Sequence, residues 1–155
     1  MSLGYLAIII AVLSLDTTIA FQTLISSPLF ACPILGWILG DIQLGFELGF
    51  LLQLIWLSRI PAGAVIFPEG NLASMIVTSL ILLNKSNGFP NTNLAIIFIE
   101  GILISFIGAK ITQFYRNLNG KILDFVNKQV ERAHFRVILL LEIFSIFLYF
   151  LIMFF

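Results

Sequence analysis

Apolar residues run through this chain in long unbroken stretches, and three of them approach the length of a bilayer crossing. Crossing the hydrocarbon core takes about 20 apolar residues at a rise of about 1.5 Å each. Val137–Phe155 supplies 19 residues with a single charge, Glu142, and its closing run FLYFLIMFF is aromatic enough to face lipid or a partner. Asn93–Tyr115 is a second span, interrupted by Glu100 and holding Lys110 near its end. Leu3–Phe21 is the third, carrying Asp16 and two threonines; it lacks the basic lead-in and small-residue cleavage site of a secretory signal and reads as a retained segment.

Between residues 26 and 84 the pattern changes. The apolar runs are short and punctuated by Pro28, Pro33, Pro61 and Pro68 and by repeated glycines. A proline inside a helix removes a hydrogen bond, and in lipid the freed carbonyl has no water to turn to. Helices broken at membrane depth therefore sit inside protein or line a cavity, the arrangement of a transport pathway. At residues 36–49 the glycines are spaced GWILG, DIQL, GFELG, so that Gly36, Gly40, Gly45 and Gly49 form two small-xxx-small steps suited to close helix approach or to ordinary packing. Residues 117–136 read differently again: Leu118, Ile122, Phe125, Val126, Val130 and Ala133 make one apolar face and Lys121, Asp124, Lys128, Glu131 and Arg132 the other. That pattern predicts an amphipathic helix lying in the interface.

The expected fold class is therefore an all-α integral membrane protein. One membrane domain, 1–155, holds about three full transmembrane helices, broken or re-entrant helices over 26–84, and the interfacial helix. Composition agrees: 60% of residues are hydrophobic and only 10% charged, against about 25% charged in a soluble domain. Eight acids balance eight bases, so no overall field invites nucleic acid. Six of the eight basic residues fall between Lys110 and Arg136, which places that end on the cytoplasmic side and the polar turn around residues 84–93 on the other.

Polar groups concentrate in the segment QLIWLSRIPAGAVIFPEGN, residues 53–71, the leading candidate for a substrate site. Gln53 and Ser58 can hydrogen-bond hydroxyls, Arg59 and Glu69 are a possible pair, and Pro68 with Glu69 resembles a chain break opening a new half-helix. Trp56 either stacks on a sugar face or anchors at the interface. Asp41 either marks an interfacial turn or, like Glu47, requires a partner or cavity. Asp16, Glu100 and Glu142 lie within apparent spans with no partner evident from the sequence. Cys32 reads as a packing residue. His134 stands on the amphipathic segment with no second ligand at metal spacing, and no serine occupies a nucleophile motif, so metal and hydrolase chemistry find no support.

The run Pro28-Leu-Phe-Ala-Cys…Gly36…Leu39-Gly40-Asp41, then Gly45 and Gly49, then Gly63-Ala64…Pro68-Glu69…Leu72-Ala73-Ser74 resembles the mannose/sorbose-family enzyme IIC, whose members show PLxACxxxGxxLGD followed by GAxxxPDxxLAS. That is the membrane subunit of the phosphoenolpyruvate-dependent sugar phosphotransferase system, here in a short or partial version. The resemblance implies a multi-pass protein of the bacterial inner membrane that translocates a sugar, a hexose. Its partners would be an enzyme IID-like membrane subunit, soluble IIA and IIB phosphocarriers, and membrane lipid, in an oligomer. It implies no cofactor and no catalytic residue of its own, because the phosphoryl group travels on histidines of the soluble subunits. By position, the sugar contacts would fall around Gln22, Gln53, Pro61, Gly63, Ala64 and Glu69, while Pro28, Gly36, Gly40, Asp41, Gly45, Gly49 and Pro68 carry the structural motif. Members often have a carboxylate at the position of Gln53, a polar amide at that of Pro61 and aspartate at that of Glu69. The alternative reading is a reduced, non-transporting membrane assembly or interaction paralogue.

Overall fold

The computed structural model describes residues 3–18, 23–57, 68–85, 91–130 and 135–154, and every regular element among them is helical. In chain order these are α1 (Leu3–Thr18), α2 (Pro28–Leu39), α3 (Ile42–Trp56), α4 (Gly70–Asn84), α5 (Asn91–Val130) and α6 (Phe135–Phe154).

Pro28 and Gly40 become element boundaries, while Pro33, expected to interrupt a helix, does not. Pro28 opens α2 at its first turn, where a missing N–H is an orphan anyway. Pro33 is accommodated within α2. Gly40 ends that helix in the left-handed conformation at φ 90°, with its N–H on Trp37 O and the Asp41 N–H on Gly36 O at 2.8 Å. This is a Schellman closure, which needs a residue without a Cβ penalty. Asp41 then caps α3, its carboxylate accepting from the Leu44 N–H at 3.0 Å. It also pairs with Lys85 at the end of α4, so it marks a turn, and the Lys85 ammonium bonded to it, followed by the Leu44 N–H, holds its carboxyl below the usual carboxylate range.

α2 and α3 form a tight hairpin because its seam is glycine. A Cβ on Gly45 would lie 2.6 Å from Cys32 O and 2.8 Å from Gly36 Cα, and one on Gly49 2.5 Å from Pro28 O. Gly36, Gly45 and Gly49 thus serve close helix approach, whereas a Cβ on Gly40 would meet nothing within 4 Å and that glycine serves the turn. At 12 and 15 residues these helices are too short to cross the hydrocarbon core.

α4 is the centre of the molecule. It packs on α1, α2, α3 and α5 and buries nine of its fifteen residues. On one side Leu48, Leu52, Trp56, Val77, Ile81 and Ile97 form a core, and on the other Leu6, Ile10, Leu35, Leu72 and Met75. The outside is as apolar as the inside. Phe106, Ile107 and Phe114 on α5 and Leu139, Leu140, Ile143, Phe144 and Phe147 on α6 are exposed, while the residues α6 buries are Ser145 and Tyr149. An exterior of this kind is stable against lipid.

Two of the described helices are long and apolar enough to span a membrane, within Ala95–Asp124 and Phe135–Phe154; α1, at 16 residues, is shorter, and residues 19–21 of the third expected span lie outside the described residues. The amphipathic stretch expected as a separate helix over 117–136 instead continues α5 without a break to Val130, and Phe135 and Arg136 already belong to α6. The junction is held because both of its sides grip the same residue of α6: Tyr115 Oη lies 2.6 Å from Ser145 Oγ, which in turn donates to Asn119 Oδ1 at 2.8 Å. Forty residues make a helix of about 60 Å, twice the hydrocarbon thickness, so one end of α5 stands clear of it.

Candidate functional site

The ends of four short helices meet at one level of the bundle, where α1 stops, α2 starts, α3 stops and α4 starts. Hydrogen bonds from side chains and main chain tie the level together. Asp16, near the end of α1 and only 6% exposed, accepts from the Thr23 N–H at 2.8 Å and hydroxyl at 2.7 Å, and from the Ser26 N–H at 3.2 Å and hydroxyl at 3.4 Å. Asn71 Nδ2 at the start of α4 donates to Ser26 Oγ at 3.3 Å. Gln53 Oε1, one turn before the end of α3, accepts from the otherwise orphan Leu29 N–H of α2 at 3.4 Å. Asp16, which the sequence leaves without a partner, is thus the anchor of the layer. Glu100 and Glu142 are exposed and have no ion-pair partner among the described residues.

Glu69 stands at the chain break before α4, and α5 receives it. Its main-chain N–H donates to Ser105 O at 2.8 Å. Its side chain lies over Gly108, where a Cβ would fall 2.8 Å from Glu69 Cβ, and faces Thr112 and Arg116. Residues 105, 108, 112 and 116 form one stripe of α5. Sequence reasoning missed this stripe, although Gly101, Ser105, Gly108, Ala109 and Thr112 are small residues at helical spacing and all buried.

Neither sequence reading of Trp56 holds. Its ring is 8% exposed and covers Gly70, where a Cβ would lie 2.5 Å from the indole, and its Nε1–H donates to Ser74 Oγ at 2.9 Å. The aromatic residue that read as a sugar platform or interfacial anchor is a core wedge between α3 and α4. Of the predicted contacts, Gln53 and Glu69 fall in this region; Gln22, Ser58, Pro61, Gly63 and Ala64, with Arg59 and His134, lie outside the described residues. No three His, Cys, Asp or Glu side chains cluster among the described residues. A cleft of about 570 Å³ between α5 and α6, lined in part by Arg116, Asn119, Glu142 and Ser145, contains none of the sequence-predicted site residues.

The described residues thus form an all-helical unit whose short helices end on a shared polar layer. Residues 2–155 match the family described as the sorbose-specific IIC component of the PTS system, and the chain belongs to that family. It is 33% identical over 123 residues to the sorbose-specific EIIC component of Klebsiella pneumoniae, covering 79% of this chain and 43% of that one. The sorbose-specific EIIC component of Lacticaseibacillus casei is 31% identical over 122 residues, again 79% of this chain and 41% of the relative. The mannose-specific EIIC component of Escherichia coli K12 is 32% identical over 98 residues, 63% of this chain and 37% of the relative. The chain spans about two-fifths of the length of these curated relatives.

Proposed function

We propose that this chain forms the sugar-translocating part of a mannose/sorbose-type phosphotransferase membrane subunit, a multi-pass component of the bacterial inner membrane that takes a hexose. The observation that carries the reading is the shared level at which α1, α2, α3 and α4 end, with Gln53 and Glu69 on it and Asp16, Ser26 and Asn71 bracing it. Broken helices expose main-chain donors and acceptors that a bundle of full spans would consume, and a sugar needs many of both.

Depth supports the same reading. From Glu69 to Lys85, α4 advances about 24 Å, so with Lys85 and Asp41 near one surface the polar layer falls toward the other. The basic end of α5 marks that other surface as cytoplasmic. A hexose on the layer is thus close to the side on which IIA- and IIB-type phosphocarriers work, and an enzyme IID-like subunit and further copies complete the assembly.

The test is phosphoenolpyruvate-dependent uptake of a panel of labelled hexoses, mannose and sorbose first, in cells with the partner subunits. Gln53→Leu is expected to abolish uptake while the protein still reaches the membrane. Because Gln53 also caps α2, Gln53→Glu is the companion: it keeps the acceptor and is expected to retain uptake. Unchanged transport in Gln53→Leu moves the site elsewhere.

A further inference from the structure

The stripe of α5 beneath Glu69 holds a polar group that packing does not explain. Thr112 is 4% exposed, yet its hydroxyl has no hydrogen-bond partner of normal geometry among the described residues. Glu69 lies over Gly108, one turn back on the same stripe, and its side chain faces Thr112. An isosteric valine would fill this space without leaving an orphan hydroxyl. Here the hydroxyl instead stands beside the Glu69 side chain at the start of α4.

We propose that Thr112 is a specificity-determining residue of the sugar site. A sugar hydroxyl placed between the two groups donates its proton to the Glu69 carboxylate and accepts one from the Thr112 hydroxyl, so both of its capacities are used. The helix that receives the chain break thereby becomes a wall of the site. This inference rests on the transport reading above and adds to it a group on a different helix.

The experiment is uptake of labelled mannose and sorbose, each with its monodeoxy derivatives, in cells carrying the whole chain and its partner subunits. Thr112→Val is expected to raise KM for the transported sugar about tenfold, with the effect on KM rather than on the maximal rate. It should also abolish discrimination against the one monodeoxy derivative that lacks the bound hydroxyl, and Thr112→Ser should restore both. Equal losses for every derivative, or no change in KM, overturn the proposal in favour of a packing role. Should Thr112→Val fail to reach the membrane, Thr112→Ala set against Thr112→Ser makes the same comparison with less bulk. Loss of uptake in Gln53→Leu with normal kinetics in Thr112→Val sinks this inference alone; normal uptake in both sinks the site on which it rests.

Discussion

Replacing Gly45 with alanine sets a methyl group 2.6 Å from Cys32 O and 2.8 Å from Gly36 Cα, where ordinary contact begins at 3.4 Å. The shortfall is about 0.8 Å, and both opposing atoms are backbone. No side chain can swing aside, so α2 and α3 must part. Overpacking of this kind costs ~1–3 kcal/mol, while alanine in place of glycine within a helix gains up to ~1 kcal/mol. Gly120 on α5 separates the two effects, because a Cβ there meets nothing within 4 Å. Gly120→Ala should stabilise, and Gly45→Ala should fall below it by ~1–3 kcal/mol, the propensity gain cancelling between them. Reversible unfolding in mixed micelles measures the difference, and the buried Trp56 provides a fluorescence signal from the core beside the hairpin. Gly49→Ala, aimed at Pro28 O at 2.5 Å, should repeat the result. If both hairpin variants matched Gly120→Ala in stability, the glycine seam between α2 and α3 would be wrong.

Asp16→Asn turns an amide toward donors that want a carboxylate; it is expected to cost ~1–3 kcal/mol in the same assay, and wild-type stability would remove Asp16 as the anchor of the layer. The Asp41 carboxyl titrates lower in the folded protein than in the unfolded chain, so its pairing with Lys85 contributes above the ordinary carboxylate value near pH 4 and is lost as pH falls through the depressed one. The stability difference between wild type and Lys85→Met should therefore shrink on acidification below about pH 4, and a difference constant with pH would refute the pairing. Lys121→Cys tests orientation: Cys32, the only native cysteine, is buried and leaves little background, so an impermeant thiol reagent should label the variant from the cytoplasmic side alone. Labelling from outside would invert the topology.

Legibility from the sequence follows from how local each feature is. The turn at Asp41 and the new helix after Pro68–Glu69 are written in neighbouring residues and sit where the sequence reading put them, whereas Gly40, read as a packing step, proved to be a helix stop. Trp56 misled because an aromatic at the end of an apolar run has the same sequence signature whether it faces headgroups, a ligand or a glycine across the core. The junction at residue 117 misled in the opposite way. Its periodicity was amphipathic, but nothing local records that Tyr115 and Asn119 share Ser145, 30 and 26 residues onward.

By itself, the sequence determined the solvent and the class of fold, since no arrangement of so many apolar side chains can hide them from water. It also determined the family, through two motif blocks, and the short helices in the middle of the chain. Tertiary structure alone decided what those breaks meet. Glu69 meets the stripe of Ser105, Gly108 and Thr112, Asp16 meets Thr23 and Ser26, and Asn71 reaches back 45 residues to Ser26. Hydrophobic periodicity tells which face of a helix is buried, but the partner for a buried polar group is chosen by the packing of helices distant in the chain.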